Sequence, residues 1–305
     1  MCGITGITYF NKDREVNPAT LKDMTDVIAH RGPDDEGFYI NQNVGLGFRR
    51  LSIIDLSTGH QPLCNEDQSI WIIFNGEIYN YHDLQNDLMK HGHIFKTKSD
   101  TETIVHLYEQ YGVDCLKYLR GMFAFAIWDN KRQQLFCARD RFGIKPFYFY
   151  RDNEKFVFGS EIKAILKCEN IDRTLSQEAI DSYFAFGYIT SDLSIYKNIK
   201  KLQPAHYLLL TFKENGTATT HRYWEIEFNP DFTKSQSQWE EEIRKCLSET
   251  VKQHMISDVP LGAFLSGGID SGSVVALMAR NSDRPIKTFS IGYKNEAFSE
   301  LRQAR

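Results

Sequence analysis

A cysteine stands directly behind the first methionine in MCGITGITYF, with Gly3 and Gly6 following in a strand-like run. Removal of Met1, usual before a small residue, leaves Cys2 with both a thiol and a free α-amine. These groups titrate near about 8.5 and about 8 in model compounds. The amine then serves as the thiol's own general base, directly or through a water, and no histidine is needed. Taken alone, the same residue also reads as a chance cysteine at a frayed end.

A second candidate is SGGIDS (266–271). A strand, a Gly-rich turn and a helix N-terminus together make an anion site, because free N–H groups and the helix dipole point at the ligand. Gly267 and Gly268 admit close backbone approach. Ser266 and Ser271 add hydroxyls, and Asp270 offers a carboxylate to a magnesium ion (Mg2+) accompanying a nucleotide. No GK[ST] follows, so this is not a Walker loop. A bare Gly-Gly turn would bind nothing; the flanking Ser, Asp and Ser inside a β-α-β frame favour phosphate.

These residues need elements to hold them. WIIF (71–74) reads as a strand ending in the polar turn NGE, and LFCARDRFGIKPFYFY (135–150) as strand, turn, strand, punctuated by Gly143 and Pro146. FVFGSEIKAIL (156–166) reads as a strand entering a helix. SDTETIVHLYEQYG (99–112) predicts a helix with a Ser99–Glu102 capping box, an apolar face of Ile104, Leu107, Tyr108 and Tyr111, and a stop at Gly112. The polar stretch 226–237 reads as a linker between a domain at 2–225 and another at 238–305. In the second, Ser237 and Glu240 cap a helix with Trp239, Ile243, Leu247 and Val251 on one face. PLGAFL then reads as a strand buried on both faces of a parallel sheet, followed by a helix through VVALMAR, the strand TFSIGY, and a further helix entered at SELRQAR. One such βαβ unit cannot close a core, so this domain reads as incomplete.

The 305 residues carry a formal net charge of −4, which argues against nucleic acid or an anionic membrane as partner. No apolar run approaches the ~18 residues of a membrane helix, and no basic, apolar leader opens the chain. Six cysteines without a CxxC pair argue against zinc and for reduced cytoplasmic thiols. Apart from Cys2 they read as small buried hydrophobes.

HRGPD (30–34), RLSIID (50–55), NGEIYN (75–80), GMFAFAIWD (121–129), RDRFGIKPFYF (139–149) and GSEIKA (159–164) occur in this order behind MCGI. The set resembles the glutamine-hydrolysing asparagine synthetases, with SGGIDS where that family has its ATP-pyrophosphatase loop. The resemblance implies an α+β then α/β chain: a four-layer αββα N-terminal-nucleophile hydrolase domain, then the opening of a Rossmann-like parallel sheet. It implies that Cys2 attacks the glutamine amide, with the Asn75 side chain and Gly76 N–H holding the oxyanion. Arg50 would grip the substrate carboxylate and Asp100 its ammonium, while Leu51, Ile53, Ile54 and Glu77 complete the pocket. Asn75-Gly76 alone would read as a hairpin turn, Asp100 alone as a helix-dipole partner, and His30 and Arg31 as a structural loop.

The same resemblance implies ATP held by Ser266, Gly267, Gly268, Asp270 and Ser271, with Leu265 and Ile291 against the adenine. Gly272 stands where the family often has a second serine. The implied chemistry converts ATP, aspartate and glutamine to asparagine, AMP, pyrophosphate and glutamate. The family's later SGxGxDE segment is absent from these residues, so the chain reads as truncated and the acceptor stays open between aspartate and another carboxylate such as a sugar uronate. A stand-alone glutaminase or a non-catalytic remnant are the other readings, and a homodimer is compatible with all of them.

Overall fold

The structure is a computed structural model describing residues 1–212, 216–294 and 299–304. The chain divides into two compact units, Met1–Ile226 and Glu227–Arg305.

The first unit contains, in chain order, β1 (Gly3–Tyr9), α1 (Pro18–Asp26), β2 (Asp35–Asn41), β3 (Val44–Arg50), β4 (Leu63–Cys64), β5 (Ile70–Ile78), α2 (Tyr81–Lys90), α3 (Asp100–Tyr111), β6 (Gly121–Asp129), β7 (Gln134–Arg139), β8 (Tyr148–Arg151), β9 (Lys155–Gly159), α4 (Ile162–Ile165), α5 (Gln177–Phe186), β10 (Ile199–Lys201), β11 (His206–Thr211) and β12 (Thr217–Arg222). The strands form two six-stranded antiparallel sheets, ordered β10-β8-β9-β1-β3-β2 and β12-β11-β7-β6-β5-β4.

Strand alternation builds the layers. Ile4, Val44, Leu46 and Phe48 of the first sheet meet Ile73, Ala124, Ala126 and Trp128 of the second in one buried cluster. Residues of opposite parity face outward. Ile7 and Val157 pack against Leu21 and Met24 of α1 and Ile165 of α4. On the far side Phe136 stacks on Tyr108 of α3 at 5.5 Å. The order is helix, sheet, sheet, helix, the αββα arrangement expected.

Two local expectations change. β5 does not stop at a turn after Phe74: it runs through Asn75, Gly76 and Glu77, pairing Gly76 with Phe123 of β6. A Cβ at Gly76 would collide with the Met122 carbonyl, so this glycine serves a close strand approach rather than a bend. The Ser99 hydroxyl does cap α3, but on Thr101 N–H. Glu102 instead accepts from Lys96 and Thr97 N–H at 2.9 and 2.7 Å, so no capping box forms. Residues 100–108 are buried all round the helix, and Glu102 turns to the preceding loop rather than to solvent.

The second unit contains α6 (Gln236–His254), β13 (Gly262–Phe264), α7 (Ile269–Arg280), β14 (Lys287–Phe289) and α8 (Leu301–Ala304). The α6 cap is a Ser235–Gln238 capping box, two residues earlier than expected and inside the predicted linker. β13 and β14 pair in parallel, as a βαβ unit requires. PLGAFL is not buried on both faces, however: Phe264 is 78% exposed and Phe289 57%, because the sheet has two strands among the described residues. Val251, Leu277 and Met278 form its small core, while Trp239, Ile243 and Leu247 of the predicted apolar face are exposed and only Val251 of that face is buried. Among the described residues no helix is long and apolar enough to cross a membrane. Cys115, Cys137 and Cys168 are buried and Cys64 half-buried, but Cys246 on α6 is exposed, against expectation.

Gly6 lies beneath the Phe158 ring, where an added Cβ would overlap it. Gly6→Ala is expected to lose about 1–3 kcal/mol of stability through overpacking, measured by urea unfolding followed through Trp128 fluorescence. An unchanged midpoint would contradict this packing.

Candidate active site

The layer between the sheets sets the direction of the side chains at its end. Cys2 packs against the inter-sheet cluster that contains Ile4. Arg50 shares the parity of Val44, Leu46 and Phe48 on β3, and Asn75 and Glu77 share that of Ile73 on β5. Cys2, Arg50 and Glu77 come together in one cleft, whose walls also include Leu51, Ile53, Ile54, Gly76 and Asp100. Eight of the nine residues expected at a glutamine site therefore line one cleft. The ninth, Asn75, is buried behind its wall.

The Cys2 Sγ lies 3.4 Å from Leu51 N–H and 3.6 Å from the Leu51 carbonyl. Its main chain is tethered as well: Arg31 Nε donates to the Cys2 carbonyl at 3.0 Å while Arg31 Nη1 pairs with Glu161 at 3.1 Å. The end of the chain is thus not frayed. Burial pushes the Cys2 thiol up and the Leu51 N–H pulls it back. Burial also holds the terminal amine of Met1 below its ordinary value, which favours a neutral, proton-accepting amine at that end.

Both side-chain atoms of Asn75 are buried without a hydrogen-bond partner among the described residues. Such an orphan costs about 1–3 kcal/mol unless something fills its bonds. Arg50 is held by loop carbonyls: Nη2 donates to Ile54 at 3.1 Å and Asp55 at 2.5 Å. The Asp55 carboxylate in turn accepts from Thr58 and Lys98 N–H, each at 2.9 Å, fixing the 54–58 loop. Asp100, first residue of α3, accepts from Ile78 N–H at 2.9 Å. Burial raises both Glu77 and Asp100, and the charge of Asp100 raises Glu77 further. The cleft therefore presents one guanidinium and two strained carboxylates.

Three contributors lacked a recognisable signal. Gln61 lines the cleft and braces β5, accepting from Phe74 N–H at 2.7 Å and donating to its carbonyl at 3.3 Å. In the sequence Arg31 reads as part of a structural loop, and nothing local signals its hold on the Cys2 carbonyl. Lys145 is buried, and its charge acts on Glu77. Its loop is shaped by Asp140, whose carboxylate accepts from Phe142, Ile144 and Lys145 N–H at 2.9–3.1 Å. RDRFGIKPFYF held that information only as part of a family pattern.

In the second unit, Leu265, Ser266 and Ile291 line a separate cleft with Phe289 and Tyr293. SGGIDS straddles the boundary of α7, so Asp270 and Ser271 belong to its first turn. Gly267 stands at φ +81°, where only glycine is unstrained, and Gly268 is an N-cap without a side-chain bond. Ser266 and Ser271 hydroxyls lie 2.9 Å apart. Uncapped N–H groups, a positive-φ glycine and two hydroxyls are a donor set that fits a nucleotide phosphate.

Glu77 supplies a pH test. Its carboxyl is raised from an ordinary 4.5, so the folded protein binds a proton there that the unfolded chain has lost. Stability then falls as pH rises through that interval. Glu77→Gln is expected to raise Tm relative to the parent at pH 8 and not at pH 4.5. A constant difference across that range would contradict the raised carboxyl.

Comparison with known proteins follows the two units. The family model for a glutamine amidotransferase domain matches residues 1–224, and that for asparagine synthase matches residues 242–305. Asparagine synthetase [glutamine-hydrolyzing] 1 of Bacillus subtilis (strain 168) is 40% identical, the match covering 100% of this chain and 48% of that protein. A putative asparagine synthetase [glutamine-hydrolyzing] 2 of Methanocaldococcus jannaschii is 42% identical, covering 97% and 60%. The chain thus spans about half the length of these relatives. The structure of glutamine phosphoribosylpyrophosphate amidotransferase from B. subtilis, complexed with ADP and GMP, superposes with a TM-score of 0.52 at 19% identity, over 96% of this chain and 67% of that one. That likeness shows a common fold. With its family model matched over the whole first unit, the chain belongs to the glutamine amidotransferase domain family.

Proposed function

We propose that the first unit, residues 2–225, hydrolyses glutamine to glutamate and ammonia at Cys2. The observation that carries this reading is the charge pattern of the cleft. One guanidinium, Arg50, and two carboxylates, Glu77 and Asp100, complement the carboxylate and ammonium of an α-amino acid. The amide of the ligand's side chain then faces Cys2. The raised Glu77 and Asp100 gain from a bound ammonium, which relieves their mutual repulsion.

The chemistry follows from the placement. With Met1 removed, the α-amine of Cys2 in its neutral form takes the Cys2 proton. The thiolate attacks the amide carbon, and the C=O pair moves to oxygen. Asn75 Nδ2 and Gly76 N–H receive that oxyanion, and the orphaned Asn75 amide gains the partner it lacks. Collapse breaks the C–N bond, the amine returns its proton, and ammonia leaves. Water then cleaves the thioester, releasing glutamate and restoring the thiol.

For the second unit we propose the opening of an ATP-dependent synthetase domain, whose first helix begins at Gln236 inside the expected 226–237 linker. Ser266, Gly267, Gly268, Asp270 and Ser271 would hold the phosphates of ATP, with Leu265 and Ile291 beside the base. ATP supplies the adenylyl group that activates a carboxylate for attack by ammonia. In a protein carrying the rest of the relatives' length, the activity is glutamine-dependent asparagine synthesis in the cytoplasm, with aspartate as acceptor and Mg2+ accompanying ATP. The names of both relatives support aspartate over another acid.

Cys2→Ala is expected to abolish glutamate release from glutamine while leaving the thermal transition within a few degrees of the parent, because the half-buried side chain adds little core. Coupled detection of glutamate in both proteins checks this. Residual release above about 1% of the parent would reject Cys2 as nucleophile.

A further inference from the structure

Outside the cleft, three ligand-type side chains converge on α3. His106 and Glu109 lie three residues apart and so share a face of the helix. His93, in the segment after α2, reaches the same point. The His93 and His106 Nδ1 atoms are 3.2 Å apart. Glu109 Oε2 lies 2.7 Å from His106 Nδ1 and 3.6 Å from His93 Nδ1. Ligands at about 2.0–2.1 Å around a tetrahedral zinc ion are about 3.3–3.4 Å apart. The triangle brackets that spacing.

The outer partners decide what each atom presents. His93 Nε2 lies 3.1 Å from Gln110 Oε1, an acceptor, so the proton sits on Nε2 and Nδ1 offers a lone pair. His106 Nε2 is buried 3.8 Å from the Glu102 carboxylate without a hydrogen-bond partner among the described residues, while His106 Nδ1 lies within hydrogen-bond reach of Glu109 Oε2. Glu109 Oε1 accepts from Asn65 Nδ2 at 2.7 Å, leaving Oε2 for the cluster. Asn65 is fixed in turn by accepting from Ile70 N–H at 3.0 Å. In the ion-free cluster one proton on His106 Nδ1 bridges to Glu109 Oε2, and displacing it leaves three lone pairs aimed at one point. One proton satisfies a single edge of the triangle, whereas one metal ion satisfies all three. His93 and Glu109, whose far atoms are held by Gln110 and Asn65, share this feature with the ligands of built metal sites.

We propose that His93 Nδ1, His106 Nδ1 and Glu109 Oε2 bind one divalent ion of the zinc class, with water as fourth ligand. Two imidazoles and one carboxylate suit zinc better than magnesium or calcium, which take oxygen ligands. His106 is buried, while the His93 and Glu109 side chains are 15% and 23% accessible and leave one open side. The ion ties the segment after α2 to α3, the helix that begins at Asp100 of the cleft.

The test is titration of Zn2+ into the chelator-stripped Cys2→Ala chain, followed by calorimetry and by Tm, with Co2+ read through its visible d–d bands. Cys2→Ala keeps the cleft thiol from taking the ion. The expected result is one ion per chain, tetrahedral Co2+ bands and a rise in Tm on saturation. His93→Ala and Glu109→Gln, each added to Cys2→Ala, should weaken binding at least about tenfold and remove the Tm rise. Both positions are partly exposed, so these variants are expected to fold, whereas buried His106 is left unchanged. No saturable binding, or binding by either variant as tight as the parent's, overturns the site.

Discussion

Two sheets bury one face each in the same layer, and a strand delivers a polar side chain to that layer without penalty only where the layer ends. This constraint places the site. β1, β3 and β5 each carry apolar residues inward until their last inward positions, where Cys2, Arg50, and Asn75 with Glu77 replace them. The desolvation that drives the sheets together is the same desolvation that raises Cys2, Glu77 and Asp100 and lowers the terminal amine. Packing and electrostatics have a single origin. The cleft gathers polar groups the fold does not fully satisfy, and Asn75 is the clearest, with both amide atoms unpartnered among the described residues.

The sequence shows those parts of this arrangement whose cause is local. α3 was legible because its apolar spacing and Gly112 stop are local, and the strand-into-helix of β9 and α4 for the same reason. β5 was misread at Asn75-Gly76 because that pair has a strong local turn preference, while the actual reason for Gly76 is the Met122 carbonyl, 46 residues away. The Ser99–Glu102 box failed because a buried carboxylate found better donors in Lys96 and Thr97. Cys2, Arg50 and Asp100 were legible as a set through family pattern rather than through any one of them. Arg31, Gln61 and Lys145 act through contacts across the fold and have no local signature.

The second unit shows the limit of the same logic. Its parallel pair and crossover helix follow from the sequence pattern, apart from where the helices begin. Burial does not, because it depends on neighbours: a sheet of two strands among the described residues leaves Phe264 and Phe289 facing solvent. The relatives, about twice as long, share this unit only in part of their length.

The account stands on Cys2 being activated inside a cleft shaped for an amino acid. The most direct measurement is intact-mass and peptide mapping after exposure to a diazoketone analogue of glutamine, with and without excess glutamine. The account predicts a single adduct on Cys2, suppressed by glutamine, with exposed Cys246 unlabelled. Labelling that follows exposure, with Cys246 modified and Cys2 spared or unprotected by glutamine, would contradict it.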